Sequence, residues 1–341
     1  MQTQIYDYEK RPRTAGMVYI ELPSKKERKT SFYLAMEEYV AREVEVRDAF
    51  FIWQVAPSVI FGRNQSIENE VNTEYCRDNG VQMFRRKSGG GCIYADKDNM
   101  MLSFVTSSNH VGLTYNRYIM MVVGALHGIG IPVTADRRND ILIDGCKVSG
   151  SAFYHIQGRS VVHGTLLYDT DMRNMTESIT PKGKKPESKG VKSTRSRITL
   201  LKHHTTMSIE EVRKSIIESI CDSTKTLTAD DVKKIEEIEK EYLGDGFIYG
   251  KNPEYRIKLE HKIGDKGKIE ARMTVKNDII KDIDLKSDFF VSDCTDAIRN
   301  SLRGIPLNRE RITDALADNG GEINVNTYKE YIADAIMSIK C

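Results

Sequence analysis

"DILIDGCKVSGSAFYHIQGRSVVHGTLLYDT", residues 140–170, decides the fold class of this 341-residue chain. It reads as three short strands with turns at "IDG" and "IQGRS", because apolar runs are punctuated by Gly and Asp at short intervals. Strands joined by tight turns are antiparallel, since parallel neighbours need a crossover of a dozen residues or more. Immediately upstream, "YNRYIMMVVGALHGIGI" (115–131) is an amphipathic helix stopped by glycines and Pro132, and "CIYADKDNMMLSFVTS" (92–107) reads as a hairpin turning at "DKDN". Hairpins outnumber βαβ units, so the expected class is α+β with a mixed, largely antiparallel sheet.

Working outward, "KTSFYLAMEEYVAREVEVRD" (29–48) is a helix with Phe32, Met36, Tyr39 and Val40 at helical spacing and Glu37 and Glu38 between them. Two strands broken by Pro57 follow, then a helix ending at Gly80, then "VQMFRRKSGGG" (81–91), which leads a strand into a glycine turn. Downstream, "ITPKGKKPESKGVKSTRSR" (179–197) is a lysine-rich loop long enough to be functional. Two helices come next, the first capped by Ser208 with Glu211 three residues on, and "GDGFIYGKNPEY" (244–255) reads as a linker. The expected organisation is a catalytic domain over 1–240, a linker over 241–250 and a small α+β domain over 251–341.

Composition excludes several classes. No apolar stretch reaches the ~20 residues that span a bilayer, and the first sixteen residues lack an apolar signal core. With 51 basic and 49 acidic residues, charge gives no reason to expect a nucleic-acid partner. Six cysteines lie far apart without a C-x-x-C pair, which suits reduced thiols in the cytoplasm, or in mitochondria for a eukaryotic source.

Three places can carry chemistry. Gly89, Gly90 and Gly91 can adopt backbone angles closed to other residues and offer free N–H groups to an anion, with Arg85 and Arg86 adding positive charge. A flexible turn beside two surface arginines is the competing reading. The spacing is neither that of a P-loop nor that of a dinucleotide fold. Lys147 sits among small residues, Val148-Ser149-Gly150, which cannot cover its ammonium. It could bridge a carboxylate and an α-phosphate, or snorkel from an edge strand. Asp140, just upstream, is a candidate partner for that lysine or for a metal ion. His163, in an apolar run, is more often structural than catalytic. Cys92 lacks a neighbouring base and reads as a wall residue.

Four motifs occur in order: "RRKSGGGCIYAD", "RRNDILIDGCKVSGSAFY", "VVHGTLLYDTDM" and "SKGVKSTRSRITLL". Together with "FYLAMEEYV" and "VIFGRNQSIENEVN" they resemble the lipoate–protein ligase A family, strongly over about residues 30–205 and weakly over the C-terminal unit. The resemblance implies a biotin/lipoate protein ligase-like α+β fold and two half-reactions. Lipoate and ATP, with Mg²⁺, give lipoyl-AMP, and the lipoyl group then passes to a lysine of an apo lipoyl domain. Such domains belong to 2-oxoacid dehydrogenase E2 subunits or the glycine-cleavage H protein. It implies a monomer acting away from membranes and nucleic acid.

Matched motif by motif, Arg86, Gly91, Cys92, Ile93, Tyr94 and Lys147 would contact the adenylate. Arg85, Ser88, Gly89, Gly90, Lys147, Ser149 and His163 would line the lipoate pocket, Lys147 would be catalytic, and Asp140 would hold Mg²⁺. The early helix and the strands "FFIWQV" and "VIFG" would wall the apolar slot, and the lysine-rich loop would close over it. Octanoyltransferase relatives use a cysteine upstream of the motif seen here as "RRND"; "GIPVTADRR" has none, which argues against covalent acyl transfer. A lipoyltransferase using preformed lipoyl-AMP, a ligase for octanoate or related acids, and a non-catalytic lipoate-binding protein are the alternatives.

Overall fold

The computed structural model describes residues 16–108, 110–136, 139–156, 158–180, 187–188, 197–249, 255–262, 268–276, 279–287, 292–317, 330, 332–334 and 336–337. The chain opens with β1 (Met17–Glu21), α1 (Thr30–Glu43), β2 (Asp48–Trp53), β3 (Ser58–Phe61), α2 (Ile67–Glu70), α3 (Thr73–Asp78) and β4 (Gln82–Arg85). After the glycine turn come β5 (Ile93–Ala95), β6 (Asn99–Thr106), α4 (Val111–Gly128), β7 (Thr134–Ala135), β8 (Ile141–Ile143), β9 (Cys146–Ser149), β10 (Ser151–Ile156), β11 (Arg159–Leu167) and α5 (Met172–Ser178). Then follow β12 (Glu187–Ser188), α6 (Ile209–Ile220), β13 (Ser223–Thr226), α7 (Ala229–Leu243) and α8 (Asp245–Ile248). The last unit holds β14 (Tyr255–Lys262), β15 (Lys268–Lys276), β16 (Ile279–Ser287), α9 (Ser292–Leu302) and α10 (Arg309–Ala317).

The main sheet runs β10-β11-β6-β2-β1-β13. It is antiparallel from β10 to β2, and β1 pairs in parallel with β2 and β13. Alternation along β11 shows how it is covered. His163 faces Glu37 of α1, while the next residue, Gly164, faces the Tyr118 hydroxyl of α4. Successive strand residues point to opposite faces, so α1 and α4 cap the sheet from its two sides. Both faces are therefore apolar, and β2 is buried along its whole length.

Residues 140–170 form four strands where the sequence reads as three. β8 and β9 belong to a small sheet with β7, and β10 and β11 form the edge of the main one. The β8–β9 turn carries φ +49° at Asp144 and +75° at Gly145, the left-handed pair that a two-residue type I′ hairpin requires.

Two expectations are corrected. Residues 92–107 are not a hairpin. β5 pairs with β3 in a separate β4-β3-β5 sheet, while β6 joins β2 and β11. Asp96 holds the corner between them by accepting from Asp98 N, Thr170 Oγ1 and Asp171 N. The segment read as a linker begins with α8, whose Phe247 and Ile248 are buried against the first domain. The C-terminal unit has its own core, built on alternate residues Ala271, Met273 and Val275 of β15 with Ile298 and Leu302 of α9.

Candidate functional site

The glycine turn is held from below by its own arginine. Arg86, buried, donates from Nη2 to the carbonyls of Gly89 and Gly91 (both 2.6 Å), from Nη1 to Ile60 O (2.9 Å) and from Nε to Ser88 Oγ (2.9 Å). The turn also leans on β3. A Cβ on Gly62 would stand 2.3 Å from Gly90 O, so only glycine permits the approach, and Gly90 itself takes φ +86°. With the carbonyls held by Arg86, the N–H groups of Gly89, Gly90 and Gly91 have no acceptor among the described residues. A row of such N–H groups is suited to an anion.

Arg85 does something else. Fully buried, it donates from Nε to Ile248 O (2.7 Å) and from Nη1 to the carbonyls of Gly62, Arg63 and Gln65. Its guanidinium also lies over the Phe61 ring. Burial lowers the pKa of both arginines to about 10, which leaves them charged at neutral pH. Its side chain is thus directed at the β3 turn and α8.

Ser88 and His163 meet, in a setting that explains the histidine. Ser88 Oγ lies 2.7 Å from His163 Nε2, and His163 Nδ1 lies 2.9 Å from Glu37 Oε2. Glu37 also accepts from Ser103 Oγ (2.6 Å), which accepts from Trp53 Nε1 (2.9 Å). An imidazole protonated on Nδ1 satisfies this chain: Ser88 donates to Nε2, and Nδ1 donates to Glu37. Ser88, fully buried, also receives the Arg86 Nε–H, so the chain braces the glycine turn from α1 and does not present a free nucleophile.

Lys147 reaches the same neighbourhood from the other side. Its Nζ forms an ion pair with Asp140 Oδ1 at 2.8 Å, and its aliphatic end folds over Gly150, where a Cβ would meet Cε and Nζ at 2.6 Å. Two residues on, Ala152 lies against Gly90. The main chain of Lys147 bonds to Arg197 O (2.7 Å) and Thr199 N (3.0 Å), so the exit of the lysine-rich loop is stitched onto β9. Most of that loop, 181–186 and 189–196, lies outside the described residues. Ser149 is buried beside Lys147.

Asp140 Oδ1 is engaged by Lys147 Nζ, and among the described residues no cluster of three or more His, Cys, Asp or Glu side chains surrounds it. Cys92 and Tyr94 are buried, and burial pushes both the thiol and the phenol well above their usual ranges. What the stretch Gly91-Cys92-Ile93-Tyr94 can offer a nucleotide is mainly backbone. Of the elements expected to wall the slot, Tyr33 and Met36 of α1 and Phe51, Ile52, Trp53 and Gln54 line a second cleft of about 370 Å³, whereas Phe50, Ile60 and Phe61 are core.

An open cleft of about 570 Å³ flanks the turn, lined by the polar and charged Arg63, Asn64, Lys87, His155 and Glu241 as well as by Gly89, Phe153, Tyr154, Ile156 and Phe247. Lys87 pairs with Glu38 of α1 (2.7 Å) and Glu241 of α7 (2.8 Å) and lies over the Tyr242 ring. Glu37, Glu38 and Glu241 were missed in the sequence. The available signal was two adjacent acids inside an apolar helical pattern; both prove 1% exposed.

Known proteins resemble this chain in sequence and fold. The model of the lipoyl protein ligase A/B catalytic domain matches residues 29–221, and that of the bacterial lipoate protein ligase C-terminus matches 252–336. The lipoate-protein ligase LplJ of Bacillus subtilis is 33% identical over 295 residues, covering 83% of this chain and 89% of that one. The bipartite lipoate protein ligase of Thermoplasma acidophilum, studied with its E2 lipoyl domain, superimposes with a TM-score of 0.58 at 25% identity, covering 68% of this chain and 96% of that one. A lipoate-protein ligase A bound with ATP gives the same TM-score at 24% identity, covering 68% and 98%.

Proposed function

The chain belongs to the lipoyl protein ligase A/B family, and from that premise we propose that it activates lipoate with ATP to lipoyl-AMP and passes the lipoyl group to a lysine of an acceptor lipoyl domain. The observation that carries this reading is the convergence of the braced glycine turn and Lys147 on the start of β10, at Ala152 and Gly150. Adenylation brings two anions together, a carboxylate and an α-phosphate. Each needs a donor that is already in position, because reorienting donors during reaction raises the barrier.

The backbone N–H groups of Gly89–Gly91 would cradle one anion. Lys147 would exchange its Asp140 partner for the acyl carboxylate and phosphate oxygens, stabilising the charge that builds as pyrophosphate leaves. In the second step the acceptor amine attacks the acyl carbon and AMP departs. Arg86, Ser88 and His163 act by holding the turn. E2 subunits and the glycine-cleavage H protein are the acceptors we expect, and we expect the chain to work as a monomer in the cytoplasm. Cys76, Cys92, Cys146 and Cys221 are free thiols, in keeping with a reducing compartment.

The test is direct. Incubating the protein with lipoate, ATP and an apo lipoyl domain should raise the acceptor's mass by one lipoyl group. An unmodified acceptor beside a functioning control ligase would reject the proposal.

A further inference from the structure

We propose that Arg63 is a further catalytic residue, binding the pyrophosphate that leaves ATP in the activation step. The inference rests on the ligase reading and adds a residue to it. Arg63 lies in "VIFGRNQSIENEVN" (59–72), a stretch that supplies neither the glycine turn nor Lys147. Its backbone runs along the back of the turn. Gly62 presses on Gly90 O, Arg63 N donates to Ser88 O (2.9 Å), and Arg63 O accepts from Arg85 Nη1 (3.0 Å). The main chain of Arg63 is thus fixed to "RRKS" on both sides of its Cα, while the residue itself is exposed. Its charge is also uncommitted. Around the turn, Arg85 and Arg86 are engaged by main-chain carbonyls, Lys87 by Glu38 and Glu241, and Lys147 by Asp140. The Arg63 guanidinium has no hydrogen-bond or ion-pair partner among the described residues.

The place of that free cation suits a leaving group. Gly89 belongs both to the row of N–H groups offered to an anion and to the lining of the 570 Å³ cleft. Beside apolar residues of β10 and α8, the same lining holds Arg63, Asn64, Lys87 and His155, all of them able to donate to phosphate oxygens. A triphosphate whose α-phosphate lies on the turn reaches this cleft with its outer two phosphates as it passes Gly89. In the activation step a carboxylate oxygen of the acid forms a bond to the α-phosphorus. The bond from that phosphorus to the bridging oxygen breaks, its electron pair leaves on pyrophosphate, and no proton moves. Negative charge therefore grows on the departing group, and a cation already in position lowers the barrier. A guanidinium matches two phosphate oxygens at once, which an ammonium does not. Glu241 lines the same cleft with the opposite sign, half exposed and shared with Lys87. It opposes the bound pyrophosphate and so favours its release.

The experiment separates the two half-reactions in the full chain and in Arg63→Gln, Arg63→Lys and Glu241→Gln. Three quantities are measured: lipoate-dependent pyrophosphate release from ATP, inhibition of that release by added pyrophosphate, and lipoyl transfer from preformed lipoyl-AMP to an apo lipoyl domain. Arg63→Gln should lower the release rate by roughly tenfold to a hundredfold and weaken inhibition by pyrophosphate by roughly tenfold. Transfer from lipoyl-AMP should change by less than about twofold, because no pyrophosphate takes part in it. Arg63→Lys keeps the charge without the planar fork and should fall between parent and Arg63→Gln. Glu241→Gln should move inhibition the other way, making added pyrophosphate bind more tightly. An Arg63→Gln protein inhibited by pyrophosphate as strongly as the parent overturns the proposal. So does one that loses both half-reactions equally, since that marks Arg63 as structural. A parent protein that releases no pyrophosphate with lipoate and ATP overturns the ligase reading itself, which is a distinct result.

Discussion

Arg85 and Arg86 on one side of the site and Lys147 on the other present the same charge in opposite circumstances. The two arginines are 0% and 4% exposed, and their hydrogen bonds go chiefly to main-chain carbonyls, of Gly62, Arg63, Gln65 and Ile248 for one and of Ile60, Gly89 and Gly91 for the other. Lys147 keeps 27% of its side chain exposed and is held by one carboxylate, on a strand whose next turn is glycine. Burial makes an arginine a scaffold, because its planar fork can satisfy several carbonyls at once and its N–H donors are then already engaged. A lysine with one partner and room to turn remains a mobile charge. The division of labour we propose is that the arginines make the shape and the lysine meets the substrate.

Substitutions can break this contrast, beginning with the largest effect. Lys147→Ala should lower the rate of lipoate-dependent pyrophosphate release by roughly a hundredfold to a thousandfold while leaving Tm unchanged, because it removes a charge donor without opening the core. Arg85→Met should do the reverse in character: it strands buried carbonyls and costs about 3 kcal/mol of stability, read as a lower midpoint in denaturant, with activity falling only as the folded fraction falls. Gly62→Ala forces a methyl to 2.3 Å from Gly90 O, so the turn must shift. It should cost about 1–3 kcal/mol and raise the KM for ATP, since the displaced N–H groups belong to the anion site. Glu241→Gln sharpens the comparison from the other end. That carboxylate is half exposed and shares Lys87 with Glu38, so its loss should cost under about 1 kcal/mol by thermal melting.

The sequence revealed the antiparallel α+β class, the residues of the turn and the isolation of Lys147, because glycine, small-residue and charge patterns are local. It did not reveal which way the arginines point. "RRKSGGG" reads as a charge clamp when the partners of Arg85 are unseen. Those partners lie 20–23 residues back and, at Ile248, 163 residues ahead. The same distance problem hid the cleft. Phe247 sits in a glycine-flanked stretch that looks like a linker, and only its packing on Tyr242 and Lys87 ties it to the first domain. The mistaken hairpin at 92–107 has a related cause. Asp96 resembles a turn residue, but it is buried and anchors a corner between two sheets through Thr170 and Asp171. The roles of Glu37 and Glu38 were hidden because their donors, His163, Ser103 and Lys87, come from elsewhere in the chain.

Cysteine chemistry offers a smaller check on the same packing. Burial raises the Cys92 thiol, whereas Cys146 is partly exposed. Iodoacetamide at neutral pH should therefore label Cys146 before Cys92 and leave Cys92 intact in the folded protein, read by peptide mass.

The most direct test of the central claim is pyrophosphate release from ATP in the absence of any acceptor. The account predicts release that depends on lipoate and ends near one equivalent per protein when the acyl-adenylate stays bound. Absence of release, with acceptor lipoylation seen only when preformed lipoyl-AMP is supplied, would contradict it.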